Sequence, residues 1–135
     1  MKKLKLACLS TLLVSGIASA SPSCEGFQIK LKNNLPEHLL ITDIKLNGAE
    51  INPRSIEQLK SNMSQVFTIN NSSENVPMKG EFTLHTLSLP SATVVIQYTL
   101  DNKIAHCSHN DLSPESDLPI EKTRKIGEVE YAINK

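Results

Sequence analysis

The stretch between residues 91 and 108 constrains the fold most, because apolar and polar side chains alternate along much of it. The apolar positions are Ala92, Val94, Ile96, Tyr98 and Leu100. A period of two predicts a β-strand with one buried face. Asp101-Asn102 then predicts a two-residue turn, and the strand that returns from Lys103 pairs Ile96 with Cys107. The stretch therefore predicts a β-hairpin that directs Cys107 into the core.

The first twenty residues have the three parts of a secretory signal peptide. A basic start, Met1–Lys5, precedes a mostly apolar run, Leu6–Ile17, and the small-residue site Ala18-Ser19-Ala20 follows. The apolar run is short for a membrane span. We expect cleavage after Ala20, which leaves residues 21–135 as one domain without an integral membrane segment. The leader is typical of a bacterial protein that is secreted or periplasmic through a Sec-type route.

Loss of the leader also changes the net charge of the chain. Removal of Lys2, Lys3 and Lys5 lowers the basic residues from 14 to 11 against 14 acidic ones, a net charge of about −3 with neutral histidines. The overall field of an acidic protein does not attract nucleic acid or anionic lipid. The charge therefore argues against either as the main partner.

Cleavage leaves two of the three cysteines, Cys24 and Cys107. In an oxidising compartment two thiols allow one pairing, so we expect a disulfide between them. Closing the long loop between these residues would stabilise the fold by about 4–5 kcal/mol in the chain-entropy model. Lipidation of Cys24 is the alternative, but the preceding Ser21-Pro22-Ser23 does not resemble a lipobox.

Two local signals predict elements in the first half of the domain. Asn47-Gly48 suits a type I′ turn, which would pair Leu46 with Ala49 across a hairpin. Ser55–Gln58 has the pattern of a capping box, which predicts a short helix that ends near residue 60.

Alternation of apolar and polar residues predicts strands elsewhere in the chain. These segments are Phe27–Lys32, Gln65–Asn70, Gly80–Leu89, Ile120–Ile126 and Gly127–Ile133. Short strands separated by turn signals are typical of antiparallel sheets packed face to face. We therefore predict an all-β fold, an antiparallel β-sandwich of about 7–9 short strands with one disulfide and at most one short helix near residues 55–60.

The residues around Cys107 include the candidate ligands of a metal site. His106, His109 and Asp111 offer imidazole and carboxylate ligands for zinc or copper, with His85 or His38 as a further ligand. A disulfide removes Cys107 as a ligand, and on a strand His106 points to the face opposite Cys107. No metal site is favoured, and we expect ordinary surface histidines.

The sequence favours binding over catalysis. It has no Gly-x-Ser-x-Gly elbow, phosphate loop, dinucleotide fingerprint or EF-hand loop, and no spacing selects a nucleophile with its base. We predict that the protein is not an enzyme and uses no cofactor. The polar loops Asn70–Pro77 and Asn110–Pro119 are the candidate binding surfaces, because loops on a rigid scaffold commonly present contacts.

Three features together resemble small secreted, disulfide-bonded β-sandwich proteins of gram-negative bacteria. They are the leader MKKLKLACLSTLLVSGIASA, the Cys24–Cys107 framework and the β-rich interior. Residues 129–133 also resemble the last strand of chaperone–usher pilins, although Cys24 leaves no room for the donor strand that pilins carry before the fold. Neither resemblance transfers a functional residue.

The leading hypothesis is a secreted, non-catalytic binding protein or effector-like module, a monomer that binds a protein or glycan ligand. Two alternatives stay open. One is a periplasmic or extracellular metal-binding protein, and the other is a structural subunit of a surface assembly.

Overall fold

The computed structural model describes residues 22–73 and 76–135, which form ten β-strands and no helix. The predicted signal peptide at residues 1–20 lies outside the described residues. Two five-stranded sheets enclose one core and give the predicted β-sandwich. The strands are β1 Gln28–Asn33, β2 Leu39–Asn47, β3 Glu50–Asn52, β4 Gln58–Leu59, β5 Ser64–Asn70, β6 Met78–Thr86, β7 Thr93–Asn102, β8 Cys107–Asp111, β9 Ile120–Lys125 and β10 Glu128–Ile133.

The first sheet has the order β3-β5-β1-β10-β9, and the second has the order β4-β2-β6-β7-β8. Neighbouring strands are antiparallel except β1 and β10, which run parallel with Gln28 beside Glu128. The edge strands β8 and β9 lie on the same side of the sandwich, since Arg124 of β9 donates a hydrogen bond to the Cys107 carbonyl of β8 at 2.7 Å.

Inward residues of the alternating strands build the core between the two sheets. The rings of Phe67 and Phe82 have centroids 4.9 Å apart, and those of Phe82 and Tyr98 are 5.8 Å apart. Phe67 belongs to the first sheet and the other two belong to the second, so the aromatic series joins the sheets. Gly80 makes room for this packing, because a Cβ there would lie 2.2 Å from the Tyr98 ring.

The hairpin predicted around Asn47-Gly48 is wrong. Strand β2 pairs with β4 and β6 in the second sheet, whereas β3 pairs with β5 in the first. Gly48, with a φ of 89°, carries the chain from one sheet to the other. Ile51 is buried opposite Ile69 in the first sheet. Burial there outweighs the local turn signal.

The short helix predicted near residues 55–60 is also wrong. Gln58 and Leu59 form β4 and pair with Leu40 and Leu39 of β2. Leu59 is buried, and its carbonyl accepts a hydrogen bond from the Asn33 side chain at 2.9 Å. Packing of Leu59 therefore outweighs the capping pattern. Within residues 22–73 and 76–135, no helix has the length and apolar character needed to cross a membrane.

The β7–β8 turn differs from the predicted two-residue turn at Asp101-Asn102. The turn is Lys103–His106, closed by a hydrogen bond from the Lys103 amide to the His106 carbonyl at 3.0 Å. Cys107 consequently pairs with Asn102 and not with Ile96. Ile96 and Asn102 share one face of β7, so Cys107 is buried as predicted.

Candidate functional site

The Cys24–Cys107 disulfide is formed, with its sulfurs 2.03 Å and its Cα atoms 4.6 Å apart. Cys24 lies in the turn before β1 and Cys107 begins β8, so the bond joins the two sheets at one end. The Cys24 amide also donates to Oδ1 of Asn102 at 2.6 Å. The Gly26 amide donates to the Ile69 carbonyl at 2.7 Å. This end of the sandwich is thus fixed by one covalent bond and two hydrogen bonds.

A cleft of about 580 Å³ opens beside the disulfide, and we term it the tip cleft. Its walls come from the β7–β8 turn and from the β9–β10 turn, and its floor comes from Ser23, residues 25–27 and Cys107. The parallel pairing of β1 and β10 brings these segments together. The Gln28 amide donates to the Gly127 carbonyl at 3.0 Å, so the start of β1 lies beside the β9–β10 turn.

Arg124 crosses the tip cleft from β9. Its guanidinium carbon lies 4.9 Å from the centre of the Phe27 ring, a cation–π distance. Nη2 donates to the Cys107 carbonyl at 2.7 Å, and Nη1 donates to the carbonyls of Lys125 and Glu128. Arg124 therefore holds the edge of one sheet against the edge of the other.

Within residues 22–73 and 76–135, no carboxylate forms a salt bridge with Arg124. The only salt bridge among the described residues joins Lys45 to Asp43 on β2. The partners of the guanidinium are three backbone carbonyls and an aromatic ring, which carry partial charges only. The tip cleft thus presents a cation with unused capacity for an anionic group.

The sequence reasoning did not identify Arg124. Arg124 pairs with Val129, a buried residue of β10. Its side chain therefore starts on the same inward face, although β9 is an edge strand. Inward-pointing charges are a known feature of edge strands. The weak alternation of residues 120–126 was the available signal, and it predicted a strand without a function.

His109 lies directly behind the tip cleft on the inward face of β8. Its ring is 6.3 Å from the ring of Phe27 and 6.0 Å from that of Tyr98, nearly parallel to both. Its Nε2 is 2.8 Å from the hydroxyl of Tyr131. The expectation that all histidines are surface residues is wrong for His109, because its strand turns it between the two sheets.

The His109–Tyr131 pair is neutral at neutral pH. Burial, followed by the charges of Lys122 and Arg124, lowers the pKa of His109 to about 4. Burial, followed by the charge of Asp111, raises the pKa of the Tyr131 phenol. A protonated phenol donates to an unprotonated Nε2, which places the imidazole proton on Nδ1. The pair acts as a polar contact inside the sandwich.

The structure places two of the metal candidates, His109 and Asp111, on the same face of β8, close enough for the charge of Asp111 to act on His109, but it does not bring His106 to them. His106 lies in the exposed turn and not on a strand, His109 points between the sheets, and Asp111 is exposed. Asp111 Oδ1 accepts hydrogen bonds from the amide and hydroxyl of Ser113 at 3.0 and 2.5 Å. In the described part of the chain, no three histidine, cysteine, aspartate or glutamate side chains are arranged to hold a metal ion.

The two predicted binding loops do not form the tip cleft, although the Ser72 amide of the first loop donates a hydrogen bond to Glu25 of the cleft floor at 3.3 Å. The loop Asn70–Pro77 is described except for residues 74 and 75, and its Ser73 carbonyl accepts a hydrogen bond from the Asn102 side chain at 3.2 Å. The loop Asn110–Pro119 borders a smaller groove of about 210 Å³ that also includes Lys122. None of the described residues of either loop lines the tip cleft.

Both turns that flank the tip cleft carry lysine followed by isoleucine at their tips, Lys103-Ile104 and Lys125-Ile126. Both isoleucines are fully exposed.

No protein family and no curated protein sequence matches this chain. The function is therefore inferred from the residues of the tip cleft and its rim.

Proposed function

We propose that this protein is a secreted, non-catalytic binding protein that holds a carboxylate-bearing protein or glycan ligand in the tip cleft. The observation that carries the proposal is the Arg124 guanidinium, which faces a solvent-open cleft of about 580 Å³ without a carboxylate partner in the described residues. A planar guanidinium is the side chain best matched to a carboxylate, because two of its N–H groups fit the two oxygens.

The local geometry supports binding through preorganisation. Arg124 is already oriented by the Cys107 and Glu128 carbonyls and by the ring of Phe27. The disulfide fixes the cleft floor. A ligand that enters a rigid site loses less free energy to ordering the protein. Ser23 adds a polar contact, since its buried hydroxyl has no hydrogen-bond partner among the described residues.

The secreted location is part of the proposal. A buried disulfide supports an oxidising compartment, and the amino-terminal sequence supports export by the general route. Mass spectrometry of protein recovered from its native secretion route tests this point. The expected product begins at Ser21 and gains two protons on reduction, whereas an uncleaved or reduced chain would contradict export.

The two alternative functions have less support. A metal-binding protein needs three converging ligands, which the described residues do not supply. A subunit that assembles by strand addition needs a long unpaired sheet edge. Here the sheets end in β3 and β4, of three and two residues, and in the lysine-rich β9 and the short β8. Short or charged edges oppose strand addition, which favours a monomer.

Amide chemical shifts measured by NMR test the carboxylate preference. The probes are glucuronate against glucose, and N-acetylglutamate amide against N-acetylglutamine amide, so each acid has a neutral match. We expect the acids to shift the amides of Gly26, Cys107 and Gly127 and the neutral probes to bind at least about tenfold more weakly.

Two arginine variants complete this test. Arg124→Gln should remove the response while its spectrum stays dispersed, and Arg54→Gln should not, because Arg54 is exposed between β3 and β4 at the opposite sheet edges. Equal binding of acid and neutral probes, or an unchanged response in folded Arg124→Gln, would contradict the proposal.

A further inference from the structure

The Lys-Ile pairs occur at two turns that belong to different sheets. Ile104 lies in the turn after β7 in the second sheet, and Ile126 lies in the turn before β10 in the first. Their relative exposures are 106% and 103%, so neither side chain packs on the domain. Ile126 lines the tip cleft, and Ile104 directly precedes the lining residue Ala105, so both isoleucines lie at the same end of the sandwich, at or next to the rim of the cleft.

Neither Ile104 nor Ile126 contributes to the core of the fold. An isoleucine at the tip of a turn gains no core burial, and turns favour small polar residues instead. The adjacent lysines, Lys103 and Lys125, are also exposed, and neither forms a salt bridge with a described residue. Each tip therefore combines one protruding apolar side chain with one free cation.

We propose that this end of the protein docks on an anionic phospholipid bilayer. Ile104 and Ile126 enter the boundary between headgroups and acyl chains, while Lys103 and Lys125 contact lipid phosphates. This inference goes beyond the proposed function, because it concerns the rim and does not require an occupied cleft. Docking would hold the open tip cleft against the membrane surface.

The separation of the two isoleucines favours a bilayer over a protein partner. A protein interface concentrates its affinity in a packed, contiguous apolar centre, but the tip cleft and its charged Arg124 lie between these side chains. A bilayer accepts separate apolar side chains, and neighbouring lysines extend to its headgroups. The lysines supply charge complementarity to anionic lipid.

The net charge of about −3 predicted for the exported chain does not decide this local question. Exposed charges interact mainly within a Debye length, about 8 Å at physiological ionic strength. Asp101 and Glu128, the carboxylates nearest to the tips in sequence, are half-buried on β7 and β10. Glu25 accepts a hydrogen bond from the Ser72 amide at 3.3 Å and is directed toward that residue. The lysines at the tips are therefore the charges that a surface approaching this end meets first.

The absence of tryptophan from the sequence allows a direct test. Ile104→Trp and Ile126→Trp each give the folded, disulfide-bonded protein a single fluorescent reporter. The control is Leu89→Trp, because Leu89 is 90% exposed and lies in the β6–β7 connection at the opposite end of β7. Vesicles of phosphatidylglycerol with phosphatidylethanolamine are compared with vesicles of phosphatidylcholine.

The proposal expects both tip tryptophans to shift their emission to the blue on the anionic vesicles and to be quenched by brominated acyl chains. Leu89→Trp should show neither change. In vesicle co-sedimentation, Ile104→Ser and Ile126→Ser should each weaken binding about tenfold. Lys103→Gln and Lys125→Gln should each weaken it about fivefold, and added salt should do the same.

Three outcomes would overturn the proposal. They are equal responses of all three tryptophan reporters, no co-sedimentation of the wild-type protein, or a dimer in vesicle-free solution that Ile126→Ser dissociates. Folded Arg124→Gln separates this inference from the proposed function. It should keep the vesicle binding while it loses the response to glucuronate.

Discussion

The Tyr131 hydroxyl and Nε2 of His109 are 2.8 Å apart, and this hydrogen bond joins the first sheet to the second. Tyr131 lies on β10 and His109 on β8, so the bond adds to the connection that Arg124 makes between β9 and β8. Burial favours the neutral imidazole, which accepts the hydroxyl proton, whereas protonation of His109 would reverse the bond and place a charge between the sheets. Its stability therefore depends on pH.

We expect His109 to make the fold sensitive to acid. Its pKa is about 4 in the folded protein and 6.5 in the unfolded chain. The unfolded state therefore takes up the proton first as the pH falls. This contribution is fully present above pH 6.5, is lost between 6.5 and about 4, and is constant below. Its size is about 2 kcal/mol after allowance for partial exposure of the ring.

Urea denaturation across this pH range checks the prediction. The free energy of unfolding of His109→Gln should fall less with acidification than that of the wild type. His106→Gln is the matched control, since His106 is exposed in the turn, and its profile should follow the wild type. Parallel profiles for the wild type and His109→Gln would show that His109 does not titrate in this way.

The two tyrosines near His109 should respond oppositely to loss of the hydroxyl. Tyr98 is fully buried and its hydroxyl has no hydrogen-bond partner among the described residues. Tyr98→Phe should therefore stabilise the fold by about 1 kcal/mol, and Tyr131→Phe should destabilise it by a similar amount. Chemical denaturation measures both. The interpretation fails if Tyr98→Phe is the more destabilising variant.

Gly80 should tolerate no larger residue. Gly80→Ala sets a methyl group against the Tyr98 ring and should destabilise the fold by about 2–3 kcal/mol through overpacking. Gly26→Ala is the control, because nothing lies within 4 Å of its Cβ position, and its positive φ alone should cost about 1 kcal/mol. Denaturation midpoints rank the two variants, and a reversed order would contradict the close packing.

Loss of the disulfide should lower stability without changing the core. Cys24 and Cys107 are 83 residues apart, and the Cys24→Ser/Cys107→Ser protein should unfold with about 4 kcal/mol less free energy. Wild type treated with dithiothreitol is the matched comparison. Calorimetry should find the two alike. A double variant as stable as the oxidised wild type would show that the bond constrains little.

The sequence predicted those strands in which apolar and polar residues alternate, because the alternation itself indicates which side chains are buried. Alternation along β7 and β10 identified their inward residues, and Val94, Tyr98, Val129 and Tyr131 are buried as the pattern required. The two cysteines that follow the predicted leader allowed one pairing, and that pairing is formed. Both successes depend on properties of the chain that do not require knowledge of which strands are neighbours.

The errors arose where a local signal competed with sheet assignment. Asn47-Gly48 suits a tight hairpin, but the sequence around it does not indicate that β2 and β3 join different sheets. Likewise, Ser55–Gln58 has the sequence of a helix start, but burial of Leu59 beside Leu39 selects a strand.

The site was beyond prediction for a related reason. Arg124 acquires its role from the Cys107 carbonyl and the Phe27 ring, and His109 acquires its role from Tyr131. These partners lie on strands that become neighbours only when the sandwich closes. No spacing along the chain encodes such contacts.

The parallel pairing of β1 with β10 has a consequence for how the chain reaches its native state. Of the two neighbours of β1, β5 comes soon after it in the chain, whereas β10 is the last strand of the sheet. The centre of the first sheet is therefore complete only when the two ends of the domain have met. Pairing between strands so distant in sequence requires the closure of a long loop, which slows folding.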